Sequence, residues 1–178
     1  MKLFKLFAVT LMLWPYLGIA LLYLIALLYL PEDAAPYLFF SLYLLLTVAV
    51  YGINIVNACR WKGEAERLAF WNMLIKLVHI PFHLLLFLVG LILILAMVVP
   101  ALVFVSPILV MIFSIISWLL VLTSSVYGIN AIVRGRQIGA LSTKTAILLG
   151  ILHLLFVADV IASIIAFVRL RKNRKKNS

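Results

Sequence analysis

Three histidines and an aspartate fall inside long apolar stretches of the chain, where ionisable side chains are rare and often functional. His79 and His83 are four residues apart, which places both imidazoles on one face of a helix, where they can hold a metal ion. His153 and Asp159 are candidates for a third ligand. The glutamate that a zinc protease places beside its first histidine is absent. The sequence therefore predicts an ionisable cluster of His79, His83, His153 and Asp159, which would take a metal ion if these side chains converge.

Two geometric expectations weaken the metal hypothesis. Asp159 follows His153 by six residues, so the two side chains lie on different faces of an ideal helix. Lys76 shares the face of His79 and His83, and its long side chain is expected to extend back toward the basic loop before it. A packing role for the histidines is therefore favoured over metal ligation.

A second set of polar residues comes from an internal duplication. Residues 41–54 align with residues 117–130 without a gap, and nine of the fourteen positions are identical, including the run Val-Tyr-Gly-Ile-Asn that ends each copy. A gap of two residues then aligns His79 with His153. The duplication predicts a parallel repeat over 41–99 and 117–173, with the copies related by an axis along the membrane normal.

Each copy carries a threonine, a tyrosine and an asparagine at helical spacing, so the three share one face. Unpaired polar groups in hydrocarbon are costly, so these side chains are expected to line a polar cavity or to bond between helices. Gly52 and Gly128 would let neighbouring helices approach closely. The predicted ligand-binding residues are Thr47, Tyr51, Asn54, Thr123, Tyr127 and Asn130.

The elements that position these residues must be membrane helices. Hydrophobic residues make up 67% of the chain and charged residues 11%, against roughly 45–50% and about 25% in soluble domains. This composition excludes a soluble globular domain and a disordered chain. The charges cluster, and Pro100 and Pro107 divide the longest uncharged stretch. The predicted spans cover about 6–30, 37–58, 70–99, 107–133 and 145–170.

The predicted fold is an all-α integral membrane protein, a five-helix bundle with one leading helix and two tandem, parallel-repeat helical hairpins. It forms a single transmembrane domain over 1–178 that ends in a basic tail, 171–178. A location in a bacterial-type cytoplasmic membrane is expected, with the N-terminus and the basic loops in the cytoplasm. Five spans then place the basic tail on the opposite side, whereas an even number would gather all basic segments on one side.

The net charge of +10 is explained by membrane contacts. Basic segments beside a membrane helix are attracted to anionic lipids, so a bilayer containing them is the expected partner. Nucleic acid is not expected, because the tail is short and lacks interleaved aromatic residues. A homodimer or a second membrane protein is the other expected partner.

Three functions fit these features. The favoured one is a small polytopic membrane protein whose pseudo-symmetric polar cavity binds or passes a small polar solute, an ion or a lipid headgroup. The alternative is a non-catalytic accessory or immunity-type protein that acts through helix–helix and lipid contacts. The third is a membrane enzyme that uses histidine on a lipid. It is less favoured because the chain contains no nucleophile elbow, phosphate-binding glycine loop or carboxylate pair.

Overall fold

The computed structural model describes residues 2–27, 35–153, 155 and 157–177, and most of these residues are helical. The described helices are α1 (Lys2–Leu27), α2 (Ala35–Arg60), α3 (Ala65–Ala96), α4 (Val105–Gln137), α5 (Thr143–Leu152) and α6 (Ala158–Asn177). The predicted end of the first span at 28–30 and the end of the tail at Ser178 lie outside the described residues.

Four helices, α1 to α4, are long and apolar enough to cross a membrane. A bilayer core of about 30 Å needs about 20 apolar residues, and each of the four meets that requirement. The prediction of an all-helical protein is confirmed, and the four long apolar helices are typical of a membrane-spanning protein. The predicted count of five helices and the repeat layout are not confirmed.

The chain divides into two compact units, Met1–Trp61 and Lys62–Ser178. In the first unit, α1 packs along α2 through a polar contact. Trp14 Nε1 donates to Thr47 Oγ1 at 2.8 Å, and the Tyr43 hydroxyl donates to the Trp14 carbonyl at 3.1 Å. The Trp14 and Tyr43 rings stack with their centroids 5.3 Å apart. Gly18 makes room for this ring, because a Cβ there would press on the Tyr43 hydroxyl and the tyrosine would have to shift.

In the second unit, α3 and α4 form an antiparallel pair. Lys76 bonds to Ser125, and His83, further along α3, bonds to Ser117, which precedes Ser125 on α4. The chain turns between the two helices at residues 97–104, and α4 begins at Val105. The break therefore begins and ends slightly earlier than the prolines predicted. The α4 helix can begin before Pro107 because a proline is tolerated in the first turn of a helix.

The stretch predicted as one span over about 145–170 contains two helices. The α5 helix ends at Leu152, α6 begins at Ala158, and the two run antiparallel as a hairpin. At its open end Arg169 Nη1 donates to Thr145 Oγ1 at 3.0 Å. The α5 helix has 10 residues, which at 1.5 Å rise is about 15 Å, half the thickness of a bilayer core.

The α6 helix runs antiparallel to α3 and returns to the end of the unit where α3 begins. The Phe167 ring packs on the Phe70 ring with centroids 5.6 Å apart. Further along, Arg174 Nη1 lies 3.0 Å from a carboxylate oxygen of Glu64 and 3.0 Å from one of Glu66. The hydrogen bond that Arg174 donates to Glu66 and the charges of both carboxylates raise the pKa of Arg174. The basic tail therefore lies beside the loop that precedes α3.

Candidate functional site

Four polar side chains follow one face of α3 at spacings of four, three and four residues, which keeps them in line along the helix. Asn72, Lys76 and His79 are buried, and only 4% of the Lys76 surface is exposed. His83 continues the stripe and lies 2.9 Å from Ser117, measured from Nδ1 to Oγ. A buried polar stripe along an apolar helix must find its partners on the helices packed against it.

Lys76 finds those partners on α4 and α6. Its Nζ donates to a carboxylate oxygen of Asp159, to Ser125 Oγ at 2.8 Å and to the Val121 carbonyl at 3.2 Å. All three ammonium hydrogens are thereby used. The expectation that Lys76 extends toward the basic loop is wrong, because Asp159 compensates its charge inside the unit.

His153 shares Asp159 with Lys76. Its Nδ1 lies 2.6 Å from Asp159 Oδ1, and both residues are buried. The expectation that the two lie on different faces of one helix is wrong, because α5 ends at Leu152 and Asp159 enters from α6. With Asp159 ionised, the Nδ1 nitrogen carries the hydrogen and donates it, which leaves Nε2 as an acceptor in the neutral imidazole.

Ser125 supports the non-helical backbone at the tip of the hairpin. Its hydroxyl lies 2.9 Å from the His153 carbonyl and 2.7 Å from the Val121 carbonyl. Across the break, the Asp159 backbone N–H donates to the Leu155 carbonyl at 2.8 Å. Irregular backbone at membrane depth is tolerated where it is buried in protein, so these bonds allow the hairpin tip to sit between helices.

Gly128 is where α4 meets both the hairpin tip and α3. A Cβ there would lie 2.4 Å from His153 Nε2 and 2.7 Å from Asn72 Nδ2. The Asn72 amide and His153 Nε2 are both buried and find no hydrogen-bond partner among the described residues. Buried polar atoms of this kind are uncommon, and one left without a partner often marks a functional position.

The structure brings together only part of the predicted ionisable cluster. His153 and Asp159 meet, whereas the His79 and His83 rings lie 6.2 Å apart and His83 pairs with Ser117. Within the described part of the chain, no group of three His, Cys, Asp or Glu side chains is arranged to hold a metal ion. The metal hypothesis therefore has no ligand set among these residues.

The predicted ligand-binding residues bond mainly along their own helices. Tyr127 is fully buried and Tyr51 is half-buried. The other four donate, at 2.7 to 3.2 Å, to the carbonyl four residues earlier, and they are Thr47, Asn54, Thr123 and Asn130. Their role in ligand binding stays a prediction.

Two members of the site were missed by the sequence reasoning. Asn72 precedes Lys76 by four residues, so its place in the polar stripe was visible in the spacing. Ser125 was assigned no role from the sequence. In the structure its hydroxyl faces two backbone carbonyls, and no hydroxyl of a described residue bonds to His153 Nε2. The site therefore has an Asp–His pair but no aligned nucleophile among the residues described.

Residues 2–175 match a family of unknown function (DUF6652), and the chain belongs to that family. No curated protein matches the chain, and no solved structure matches it.

Proposed function

We propose that this protein is a small polytopic membrane protein that passes a small ion at the cluster of Lys76, Asp159 and His153. The observation that carries the proposal is the complete burial of an ion pair and an imidazole between apolar helices. Charged residues inside membrane helices are costly and mark solute, ion or proton pathways. The pseudo-symmetric cavity becomes, in this proposal, a single site in the second unit.

The cluster combines balanced charge with unused hydrogen-bonding capacity. Lys76 and Asp159 neutralise each other, so the pair is stable without a bound ion. The unused atoms are His153 Nε2 and the amide of Asn72. The ion would therefore bind through the imidazole and the amide, while the ion pair sets the local electric field.

We also propose that the α5–α6 hairpin enters and leaves the membrane on the cytoplasmic side. Support comes from the length of α5, about half a bilayer core, and from the contact of Arg174 with Glu64 and Glu66. Four spanning helices then place the N-terminus, the basic loops and the basic tail on one side. That arrangement satisfies the positive-inside rule, which five spans cannot satisfy.

Currents on a solid-supported membrane test the proposed function. Proteoliposomes are given concentration jumps of NaCl, KCl, NH4Cl and HCl at constant ionic strength, and empty liposomes set the baseline. The test variant is Lys76→Met with Asp159→Leu, which removes both charges together and so leaves no unpaired charge in the core. The control is Lys62→Met, which removes an exposed positive charge outside the cluster.

At least one jump is expected to give a current in the wild type and in Lys62→Met that the double variant lacks. Wild-type protein with native helicity and no current above empty liposomes would contradict the proposed function. A double variant with wild-type currents would contradict it as well.

A second candidate function is suggested by the tail. Arg174 is engaged by two glutamates, whereas its basic neighbours on α6 are exposed to solvent. We propose as the alternative an accessory protein whose tail holds anionic lipids or a membrane partner. Deleting residues 171–178 would then weaken binding to liposomes containing phosphatidylserine, while the double variant above would bind them normally.

A further inference from the structure

We propose that the ion handled at this site is a proton, that His153 Nε2 is the atom that binds it, and that the Asn72 amide positions the hydrogen-bonded partner through which it arrives. This inference rests on the proposed function, and it names the cargo of the same site. Three observations support it: the close approach of α4 to His153 Nε2, the tautomer of the imidazole, and the buried polar atoms that bond to no described residue.

The space around His153 Nε2 favours the smallest cargo. The ideal position of a Cβ on Gly128 lies 2.4 Å from Nε2 and 2.7 Å from Asn72 Nδ2. A contact under 3 Å is closer than carbon and nitrogen atoms approach without bonding, so on the side that faces α4 there is no room for even a methyl group. A proton needs no volume of its own, so it is the cargo that this geometry takes without rearrangement.

Asp159 prepares the imidazole for proton uptake. Because Nδ1–H donates to the Asp159 carboxylate, the lone pair of the neutral ring is on Nε2. A proton adds to that lone pair, Nδ1–H stays bonded to Asp159, and no bond between heavy atoms forms or breaks. The three charged groups change from a sum of zero to a sum of +1, and release of the proton from Nε2 restores the neutral state.

The charged neighbours act in opposite directions on the imidazolium. Asp159, from α6, lies against the ring and stabilises it, whereas Lys76, from α3, opposes it. The packed helices also carry His79 and His83 on α3 and Tyr127 on α4. Charged residues at the helix ends are Glu66, Arg67, Arg134, Arg136, Lys144 and the basic residues of α6 from Arg169 onward. Asn72 is neutral and can donate and accept, so it can hold a water molecule or another donor at Nε2 without changing the charge.

Proton flux into liposomes tests the assignment. An internal pH-sensitive dye reports the flux that a potassium gradient with valinomycin drives through wild type, His153→Gln, Asn72→Leu and the control His83→Gln. The control removes a histidine of the same stripe that bonds to Ser117 instead of Asp159. We expect flux in wild type and His83→Gln, loss to the level of empty liposomes in His153→Gln, and partial loss in Asn72→Leu.

Nitrogen-15 NMR of the wild type in nanodiscs gives an answer that does not depend on the folding of a variant. With labelled histidine and spectra recorded at decreasing pH, His153 is expected to show a hydrogen on Nδ1 alone when no proton is bound and a hydrogen on both ring nitrogens when one is. His79→Gln and His83→Gln assign the signals.

The outcomes separate the two proposals. A hydrogen on Nε2 at every pH, or unchanged flux in His153→Gln, would overturn the proton assignment. A sodium, potassium or chloride current that needs Lys76 and Asp159 but survives His153→Gln would overturn it while leaving the proposed function in place. If no jump gives any current, the proposed function fails, and the proton assignment fails with it.

Discussion

The two similar segments, residues 41–54 and 117–130, share nine of fourteen residues and have very different surroundings. In the first copy a Cβ on Gly52 would meet nothing within 4 Å, whereas in the second Gly128 is pressed against His153 and Asn72. Tyr51 is half-buried, and its counterpart Tyr127 is fully buried. The same pattern therefore leaves its glycine open in one place and makes the wall of a polar cluster in the other.

The regions that follow residues 41–54 and 117–130 differ in their charged residues. With His79 aligned to His153, the position of Asp159 corresponds to Leu85, and the position of Lys76 corresponds to Gly150. The α3 helix continues through His79, whereas α5 ends just before His153. Each of the two aligned regions thus contributes one charge to the cluster, which forms because α6 brings the carboxylate of one region to the ammonium of the other.

The largest effect is expected when one of these charges is removed alone. Lys76→Met leaves Asp159 buried beside a histidine without its cation, which should lower the free energy of unfolding by about 3–5 kcal/mol. Adding Asp159→Leu, the residue found at the equivalent position of the first copy, should recover most of that loss. Unfolding with sodium dodecyl sulfate in mixed micelles measures both. Additive effects of the two substitutions would show that the charges are not coupled.

A smaller effect should separate the two glycines. Gly128→Ala places a methyl group against His153 and Asn72, and overpacking of this kind costs about 1–3 kcal/mol. Gly52→Ala meets open space, so its change in unfolding free energy should be neutral or stabilising by up to about 1 kcal/mol. Equal effects of the two substitutions, measured in the same micelles, would refute the difference in packing.

For the two threonines, the larger loss of stability is expected in the first segment instead of the second. Thr47 accepts a hydrogen bond from Trp14 on the neighbouring helix, whereas Thr123 donates one to a carbonyl of its own helix. Thr47→Val should therefore cost about 0.6–1.7 kcal/mol, the range for hydrogen bonds between membrane helices, and Thr123→Val less. Unfolding in the same micelles measures both costs. A larger loss from Thr123→Val would mean that the second copy is also joined through its threonine.

The smallest effect on stability is expected from the two asparagines. Each donates to a carbonyl of its own helix. Leucine is close to asparagine in size and introduces no unpaired polar group, so Asn54→Leu with Asn130→Leu should leave folding intact. The predicted symmetric cavity requires the same pair of substitutions to abolish ion currents. A single site at His153 requires the currents to persist. The solid-supported membrane measurement decides between the two.

The sequence predicted the helical class and the residues of interest better than it predicted their partners. Long uncharged stretches indicate membrane helices whatever their packing, because the bilayer imposes the length and the apolarity. The break before Asp159 gave no such signal. Leu152 to Val157 contains neither proline nor glycine, so hydropathy alone favours one continuous helix. The break is supported by contacts distant in sequence, such as that of Ser125 with the His153 carbonyl.

The pairing of Lys76 with Asp159 could not be predicted either, because it too is a contact distant in sequence. The two residues are far apart in the chain, and helical spacing relates only neighbours on one helix. Asn72 was within reach of that reasoning because it extends the stripe of Lys76, His79 and His83. The similarity of residues 41–54 and 117–130 predicts symmetric pairs of polar residues, whereas the cluster takes one charged residue from each of the two aligned regions.

Labelling of single cysteines from either side of sealed vesicles tests most directly whether α5 and α6 form a hairpin that returns to its side of entry. In a Cys59→Ser background, cysteines replace Lys62, Lys175 or Phe104, all of which are exposed. A membrane-impermeant maleimide should label positions 62 and 175 from the same side and position 104 from the other. Labelling of positions 62 and 175 from opposite sides would mean that residues 143–177 cross the membrane. The hairpin, and the site at its tip, would then be wrong.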